Sequence, residues 1–573
     1  MAGVVTGALG CGGDSGINGG NMADTVQVSP TSSSLPVGAS ERLAAVALDG
    51  QGNSINGATF TWNSSNTGVA TVDPNGLVHG IAAGTAQISA SGGGANGSAS
   101  VQVTAATGNP HLVFSTYLGG SQQDQIRDIA VDAGGNIFIT GGTESSTWPG
   151  TPGTYDPTPN GNYDVFVAKI SPQGQLLWST FIGGPNYDRA YGIELDAQGY
   201  IYLAGRAGDN FPVTNGAFQT TFSGGPNQAP YGPQDGFVCK MTPDGSAIVF
   251  CSYFGTNDKQ MIRDIAVDGS GAMYIASSYV SGTYPGNWFA GSYRSSPIGG
   301  MDGVIAKIAP DGGSVLWATY IGGSADEAEQ PSIKVDASGN IFALYSSESA
   351  DAPTPNGFDH TLSGGRDLYL VKLSNDGKQL LFGTFVGGNG LEGVETHELA
   401  LDPQGNPVIG NNTTSSDFPT TSGVVQRTNL GLSDAFVMRV SASGSQILTS
   451  TLLGGASSDA AEGISIDPAG NIYVTGTTQS TLVPFLAGGV QSGNNGTVDM
   501  VMIKLSPDFT KVLYGTFLGG GGSDAGRAAA VTAAGDFIFG GTTTSSNFPT
   551  LSPIQPNPGG GGIIDAALAK ISP

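Results

Sequence analysis

A glycine pair that closes an aromatic-rich apolar run recurs through most of this chain at a nearly constant interval. The copies are Tyr117-Leu-Gly-Gly, Phe181-Ile-Gly-Gly, Tyr320-Ile-Gly-Gly, Phe385-Val-Gly-Gly, Leu452-Leu-Gly-Gly and Phe517-Leu-Gly-Gly, with a degenerate third copy at Tyr253-Phe-Gly-Thr. The first glycines fall at 119, 183, 255, 322, 387, 454 and 519, so the spacings are 64, 72, 67, 65, 67 and 65 residues. A period this long, built only of short strand patterns and glycine turns, predicts a radial β-array rather than a solenoid.

Each period reads as four strands. In the first, Ile129-Ala-Val-Asp132 leads through a tight turn to Asn136-Ile-Phe-Ile-Thr140. A long loop follows, then Asp164-Val-Phe-Val-Ala-Lys-Ile170, the turn Ser171-Pro-Gln-Gly174, and Leu176-Leu-Trp-Ser-Thr-Phe-Ile182. Both faces of these strands are largely apolar, which suits sheets packed between neighbours. The array opens at Leu112-Val-Phe-Ser-Thr-Tyr-Leu118, a fourth-strand pattern, and stops at Asp565-Ala-Ala-Leu-Ala-Lys-Ile571, a third-strand pattern. The expected fold is therefore all-β: a closed seven-bladed β-propeller over 112–573 with four-stranded blades, the first strand completing the last blade and leaving no open edge.

The N-terminal part is different. Residues 1–23 are rich in Gly, Asn and Ala and read as a flexible segment. Residues 24–105 hold about seven short alternating runs separated by turn residues, the pattern of a β-sandwich, with Trp62 as a core residue. Residues 106–111 are a linker. Within the sandwich, Val28-Ser-Pro30, Leu35-Pro-Val-Gly38, Trp62-Asn-Ser-Ser-Asn66, Val69-Ala-Thr-Val72, Gly76-Leu-Val78 and Gly84-Thr-Ala86 resemble a group 2 bacterial Ig-like domain. The repeats, with Ser415-Ser-Asp-Phe-Pro-Thr-Thr421, Ser545-Ser-Asn-Phe-Pro-Thr550 and Asn210-Phe-Pro-Val-Thr214, resemble the bacterial SBBP β-propeller repeat family. These resemblances imply a secreted or cell-surface bacterial protein, with the Ig-like domain as stalk or adhesion module. They imply no single activity.

Composition narrows the partners. Against 45 acidic residues stand 20 basic ones, for a net charge of −25. A polyanion such as nucleic acid is repelled, whereas divalent cations fit. Cys239 and Cys251 flank Thr242-Pro-Asp-Gly-Ser246 and face each other across a hairpin, either as a disulfide formed in an oxidising compartment or as two buried thiols. Cys11, after Ala8-Leu-Gly10, resembles a lipidated lipoprotein cysteine, although the preceding apolar stretch is short and lacks basic residues. No segment is long enough to span a bilayer.

Aspartate opens every third strand (Asp164, Asp235, Asp302, Asp367, Asp434, Asp499 and Asp565), and a basic residue follows five positions later each time. Features present in every repeat read as scaffold. Function is expected on the variable second-to-third-strand loops. Two features stand out there. Asp124, Asp188, Glu327, Glu392, Asp459 and Asp524 follow the glycine pairs and, if they converge, form an acidic ring able to hold calcium; capping of each loop is the alternative. The loop Tyr279–Arg294 abandons the repeat and gathers Tyr279, Tyr284, Trp288, Phe289, Tyr293 and Arg294, planar groups suited to a polysaccharide or a surface protein, or else to packing over the third blade. The second blade carries its own insertion, residues 225–234, on the same side.

Catalytic signals are few. There is no Gly-x-Ser-x-Gly elbow and no phosphate loop. His360 and His397, with Glu392, Glu395 and Glu398, make up the one His–carboxylate group that acid–base chemistry such as β-elimination on a uronate polymer would use. The expected function is binding or adhesion at the long-loop face, with a polysaccharide lyase and a self-assembling surface component as the alternatives.

Overall fold

The computed structural model describes residues 23–104, 110–225, 231–327, 330–393, 399–486, 489–560 and 563–572. All regular structure in them is β, and no helix is long and apolar enough to cross a membrane. Of the described residues, 23–104 apart from Gly38–Glu41 form one compact unit, and those from 110 onward, with Gly38–Glu41, a second.

In the first unit, Thr25–Ser29 pairs antiparallel with Ala44–Leu48. Ser32–Pro36, Ala95–Thr104, Gly84–Gly92 and Thr61–Ser64 form a second sheet in that order. Side chains alternate across each strand, as the two-residue period demands: Val26, Val28, Ile88, Ala90, Val101 and Val103 are buried while their neighbours face water. Trp62, expected in the core, is only half-buried. It lies over Gly76, where a Cβ would come within 2.8 Å of its ring. Gly76 also has φ +81°, a conformation glycine adopts without strain.

Seven groups of four antiparallel strands make up the second unit in a propeller-like arrangement, and Ser40 and Glu41 of this unit pair with Val512 and Lys511 on the last strand of the sixth. Sheet 1 comprises Asp124–Val131, Ile137–Thr143, Val165–Ile170 and Leu176–Ile182. Sheets 2 to 7 begin at Arg189, Ile262, Ser332, Leu399, Asp459 and Asp524. The fourth strand of sheet 7 is His111–Leu118, which pairs antiparallel with Asp565–Ser572, the last strand of the chain. The first strand of each sheet touches the first strands of the sheets before and after it, and Asp524–Val531 touches Asp124–Val131 in turn. Large apolar side chains fill the spaces between successive sheets, as Phe138, Val167, Ile193, Leu203 and Phe237 do between sheets 1 and 2.

The recurring polar residues hold this frame. Asp132, at the end of the first strand, accepts hydrogen bonds from the amides of Gly134 and Asn136 and from the Asn136 side chain, and so closes the turn. Its other role explains the basic residue of the third strand: Lys169 Nζ lies 3.5 Å from Asp132 Oδ2. The pairing recurs as Lys240–Asp196, Lys307–Asp268, Lys372–Asp336, Arg439–Asp402 and Lys504–Asp467. In sheet 7, where Thr532 stands in place of the aspartate, Lys570 meets Asp536 instead, at 2.7 Å.

Candidate functional site

The residues singled out in the sequence are mostly interior. Tyr279, Tyr284 and Phe289 are buried in the core of sheet 3, with Trp288 packed against it. Phe289 stacks on Tyr320, and Trp288 on Phe254. Tyr293 packs on the neighbouring core cluster, and Arg294 donates to the carbonyl of Gly322 at 2.6 Å. The aromatic loop is thus a plug over sheet 3, because rings this large stabilise most when removed from water. Trp288, Tyr293 and Arg294 are only partly buried there.

The acidic ring also resolves into separate caps. Asp124 accepts from the Gly120 amide and from the hydroxyls of Thr143 and Ser145. Glu392, Asp459 and Asp524 repeat that set with their own Thr and Ser, Glu327 does so with Ser347 and the Gly323 amide, and Asp188 uses the amides of Gly184 and Gly208. Each carboxyl is buried in its own crossover rather than converging with the others. Among the described residues, no group of three or more His, Cys, Asp or Glu side chains is placed to hold a metal ion, calcium included. Burial raises the acid constants: Asp124 is pushed up to about 6, and Asp188 and Glu327 to about 7.

Cys239 and Cys251 occupy facing positions of the sheet 2 hairpin, both fully buried, and are joined as a disulfide. His360 lies on an exposed loop with its Nδ1 3.0 Å from the Thr354 hydroxyl. His397, Glu395, Glu398 and Cys11 lie outside the described residues, as do residues 226–230 of the second-blade insertion.

What the structure brings together is a cleft between the long-loop ends of sheets 1 and 2, with a cavity volume of about 900 Å³. The crossovers before each first strand supply Gln123, Asn186 and Tyr187; the ends of the second strands supply Glu144 and Asp209; and the long loops supply Asn162, Tyr163 and Tyr231. Gln125 and Arg189, at the starts of two first strands, form its inner wall. The aromatic rings are held in order. Tyr163 stacks on Tyr187 at 4.4 Å and 15°, and Tyr187 meets Tyr231 edge-on at 4.9 Å. The Arg206 guanidinium lies over both, 4.6 Å from the Tyr187 ring and 4.1 Å from that of Tyr231. Gln234 donates to the carbonyls of Tyr187 and Tyr231, which ties the insertion to the crossover. Tyr231 is exposed at the tip (37%). Burial pushes the Tyr187 hydroxyl well above its ordinary acid constant, so it stays neutral while accepting from Arg189. The cleft therefore offers planar faces flanked by side-chain amides, carboxylates and one arginine. Sequence reasoning noted the insertion but not Tyr187, because a tyrosine in a crossover carries no local signal of its partners.

The description of a bacterial Ig-like domain of group 2 matches residues 22–105, and that of a beta-propeller repeat matches residues 113–146 and 450–482. "Ice-binding protein 1" of Shewanella frigidimarina is 41% identical over 91 residues, 16% of this chain and 10% of that protein. "Regulatory protein FlaEY" of Caulobacter vibrioides is 24% identical over 164 residues, 28% of this chain and 16% of that protein. The chain thus spans under a fifth of the length of these curated relatives. Among solved structures, quinohemoprotein alcohol dehydrogenase from Comamonas testosteroni is similar at 9% identity and a TM-score of 0.35 over 81% of this chain and 76% of that one, a likeness that carries no argument. The chain therefore carries a group 2 bacterial Ig-like domain followed by SBBP-type beta-propeller repeats.

Proposed function

We propose that this is an extracytoplasmic bacterial binding protein, in which an Ig-like spacer precedes a closed seven-bladed propeller whose long-loop face recognises a glycan in the cleft between sheets 1 and 2. The observation that carries this reading is the pairing of ordered tyrosine rings, Tyr187 and Tyr231, with the side-chain amides of Gln123, Asn162 and Asn186 in one open groove. Sugars present apolar ring faces bordered by hydroxyl groups, and flat aromatic faces beside amide and carboxylate groups match both. The variable loops on a repeated frame are where such specificity is expected. The Cys239–Cys251 bond supports an oxidising compartment, and the Ig-like domain is of a kind typical of bacterial surface proteins. Ring closure is supported by the pairing of His111–Leu118 with the C-terminal strand.

The test is retention on immobilised neutral and acidic polysaccharides, with the Tyr231→Ala variant alongside. Retention of the parent protein and a loss of at least tenfold in affinity for the variant are expected, since truncating a central aromatic anchor costs about 2 kcal/mol or more. Unchanged retention of Tyr231→Ala overturns the site assignment.

A further inference from the structure

The cleft has a cationic inner wall that a neutral sugar does not require. Arg189 lines it while being itself buried, 5% exposed. Its guanidinium donates to the Tyr187 hydroxyl at 3.2 Å and to Gln125 Oε1, which also accepts from Arg127 at 2.8 Å. Behind it stands Tyr191, with four guanidinium groups around one ring: Arg263 at 4.3 Å, Arg189 at 5.2 Å, and Arg127 and Arg206 at 5.7 Å. These four arginines are a fifth of the 20 cationic residues in a chain of net charge −25.

Gathering like charges out of water is unfavourable unless something compensates them. Arg189 and Arg206 find only neutral groups among the described residues: Tyr187 and Gln125 for the first, Tyr187 and the Met261 sulfur for the second. Neither forms a salt bridge there, and the Nε of each is buried with no acceptor. The tyrosine faces compensate part of the charge. The carboxylates of the cleft, Glu144 and Asp209, are both exposed residues on its lining. Each Nη of Arg189 keeps one N–H beyond those given to Tyr187 and Gln125, and a planar guanidinium at the wall of a cleft is suited to a bound carboxylate or sulfate oxygen pair.

We propose that the glycan recognised in this cleft is an acidic one, whose carboxylate or sulfate ester pairs with Arg189 while its ring lies on the exposed Tyr231. This rests on the glycan reading above and adds the chemical class. The overall charge sets a limit: the surrounding acidic surface repels a long polyanion, so the site takes a single acidic sugar or a short end rather than the body of a polymer.

The experiment is calorimetric titration of the full chain with three hexasaccharides: a galacturonate oligomer, its carboxyl-reduced counterpart, and a sulfated galactan of the same length. Arg189→Gln, Arg189→Lys and Tyr231→Ala are run in parallel, each after its thermal midpoint confirms folding. Binding of either acidic hexasaccharide at least tenfold more tightly than the reduced one is expected, and which of the two binds identifies carboxylate or sulfate as the group read. That preference should disappear in Arg189→Gln, persist in part in Arg189→Lys, and survive in Tyr231→Ala as a ratio between two weakened affinities. Equal affinity of the parent protein for all three overturns the acidic class and leaves the glycan reading standing. An acidic preference unchanged in a folded Arg189→Gln also overturns the proposal. Binding of none of the three overturns both readings.

Discussion

The glycine pairs and the aspartates that made the repeat visible are explained together by one close approach. A Cβ on Gly183 would lie 2.0 Å from Asp164 Oδ1, and one on Gly387 would lie 2.4 Å from Asp367 Oδ1 and 2.6 Å from Glu392 Oε2. The first glycine is therefore required wherever a third-strand aspartate and the next crossover carboxyl crowd the same backbone. The degenerate third repeat follows the same logic. There Gly255 is kept, Thr256 replaces the second glycine and Gln260 the acid, and the Tyr284 hydroxyl donates to Gln260 at 3.1 Å. Three departures from the repeat that look independent in the sequence are one local substitution, so the aromatic loop was legible as a deviation, with binding and packing over the third blade left as its two readings. With these rings packed over sheet 3, Trp288→Ala should leave glycan retention unchanged while lowering stability by about 3 kcal/mol, read from chemical denaturation. Loss of retention in a folded Trp288→Ala would return that loop to the binding site.

The elements themselves were read correctly wherever apolar residues and turn residues alternated, since the Asp-to-Gly turns and the third strands are encoded within a few residues. The crossovers were not, because their carboxyls look alike whether they converge or cap. Their burial makes a statement about pH. Asp124, Asp188 and Glu327 have folded-state acid constants of about 6 to 7, above their unfolded values. Between roughly pH 4 and pH 7 the folded chain therefore binds more protons than the unfolded one, and stability falls as pH rises through that window. The turn aspartates act oppositely. Asp132, Asp336 and Asp536 are held below the usual range by hydrogen bonds and their lysines, so their contribution is lost as pH falls below about 4. A thermal midpoint that peaks near pH 4 to 5 and declines toward neutrality is the expected profile; a midpoint rising from pH 5 to 7 contradicts the burial of these groups. On the sheet 2 hairpin, the disulfide spans 12 residues, and replacing both cysteines with alanine should cost about 3 kcal/mol, measured under non-reducing conditions.

At the scale of the molecule, the offset between where the array begins and where it ends was the most informative part of the sequence. A chain opening on a fourth-strand pattern and closing on a third-strand pattern leaves one arrangement without two bare edges, and His111–Leu118 does pair with Asp565–Ser572. Deleting residues 111–118 exposes the edge of sheet 7 and should lower the thermal midpoint and produce concentration-dependent association, seen by sedimentation; a monomer of parental stability would argue against closure. The cleft between sheets 1 and 2 was the least legible feature, because Gln123, Glu144, Tyr187 and Tyr231 meet only when two sheets are set side by side. The central claim is that this cleft, on the long-loop face, is the recognition surface. Hydrogen exchange measured with and without a retained polysaccharide tests it most directly. Protection confined to residues 123–125, 186–189 and 231–234 is the predicted result, and protection on the opposite, short-turn face with none at these segments would contradict it.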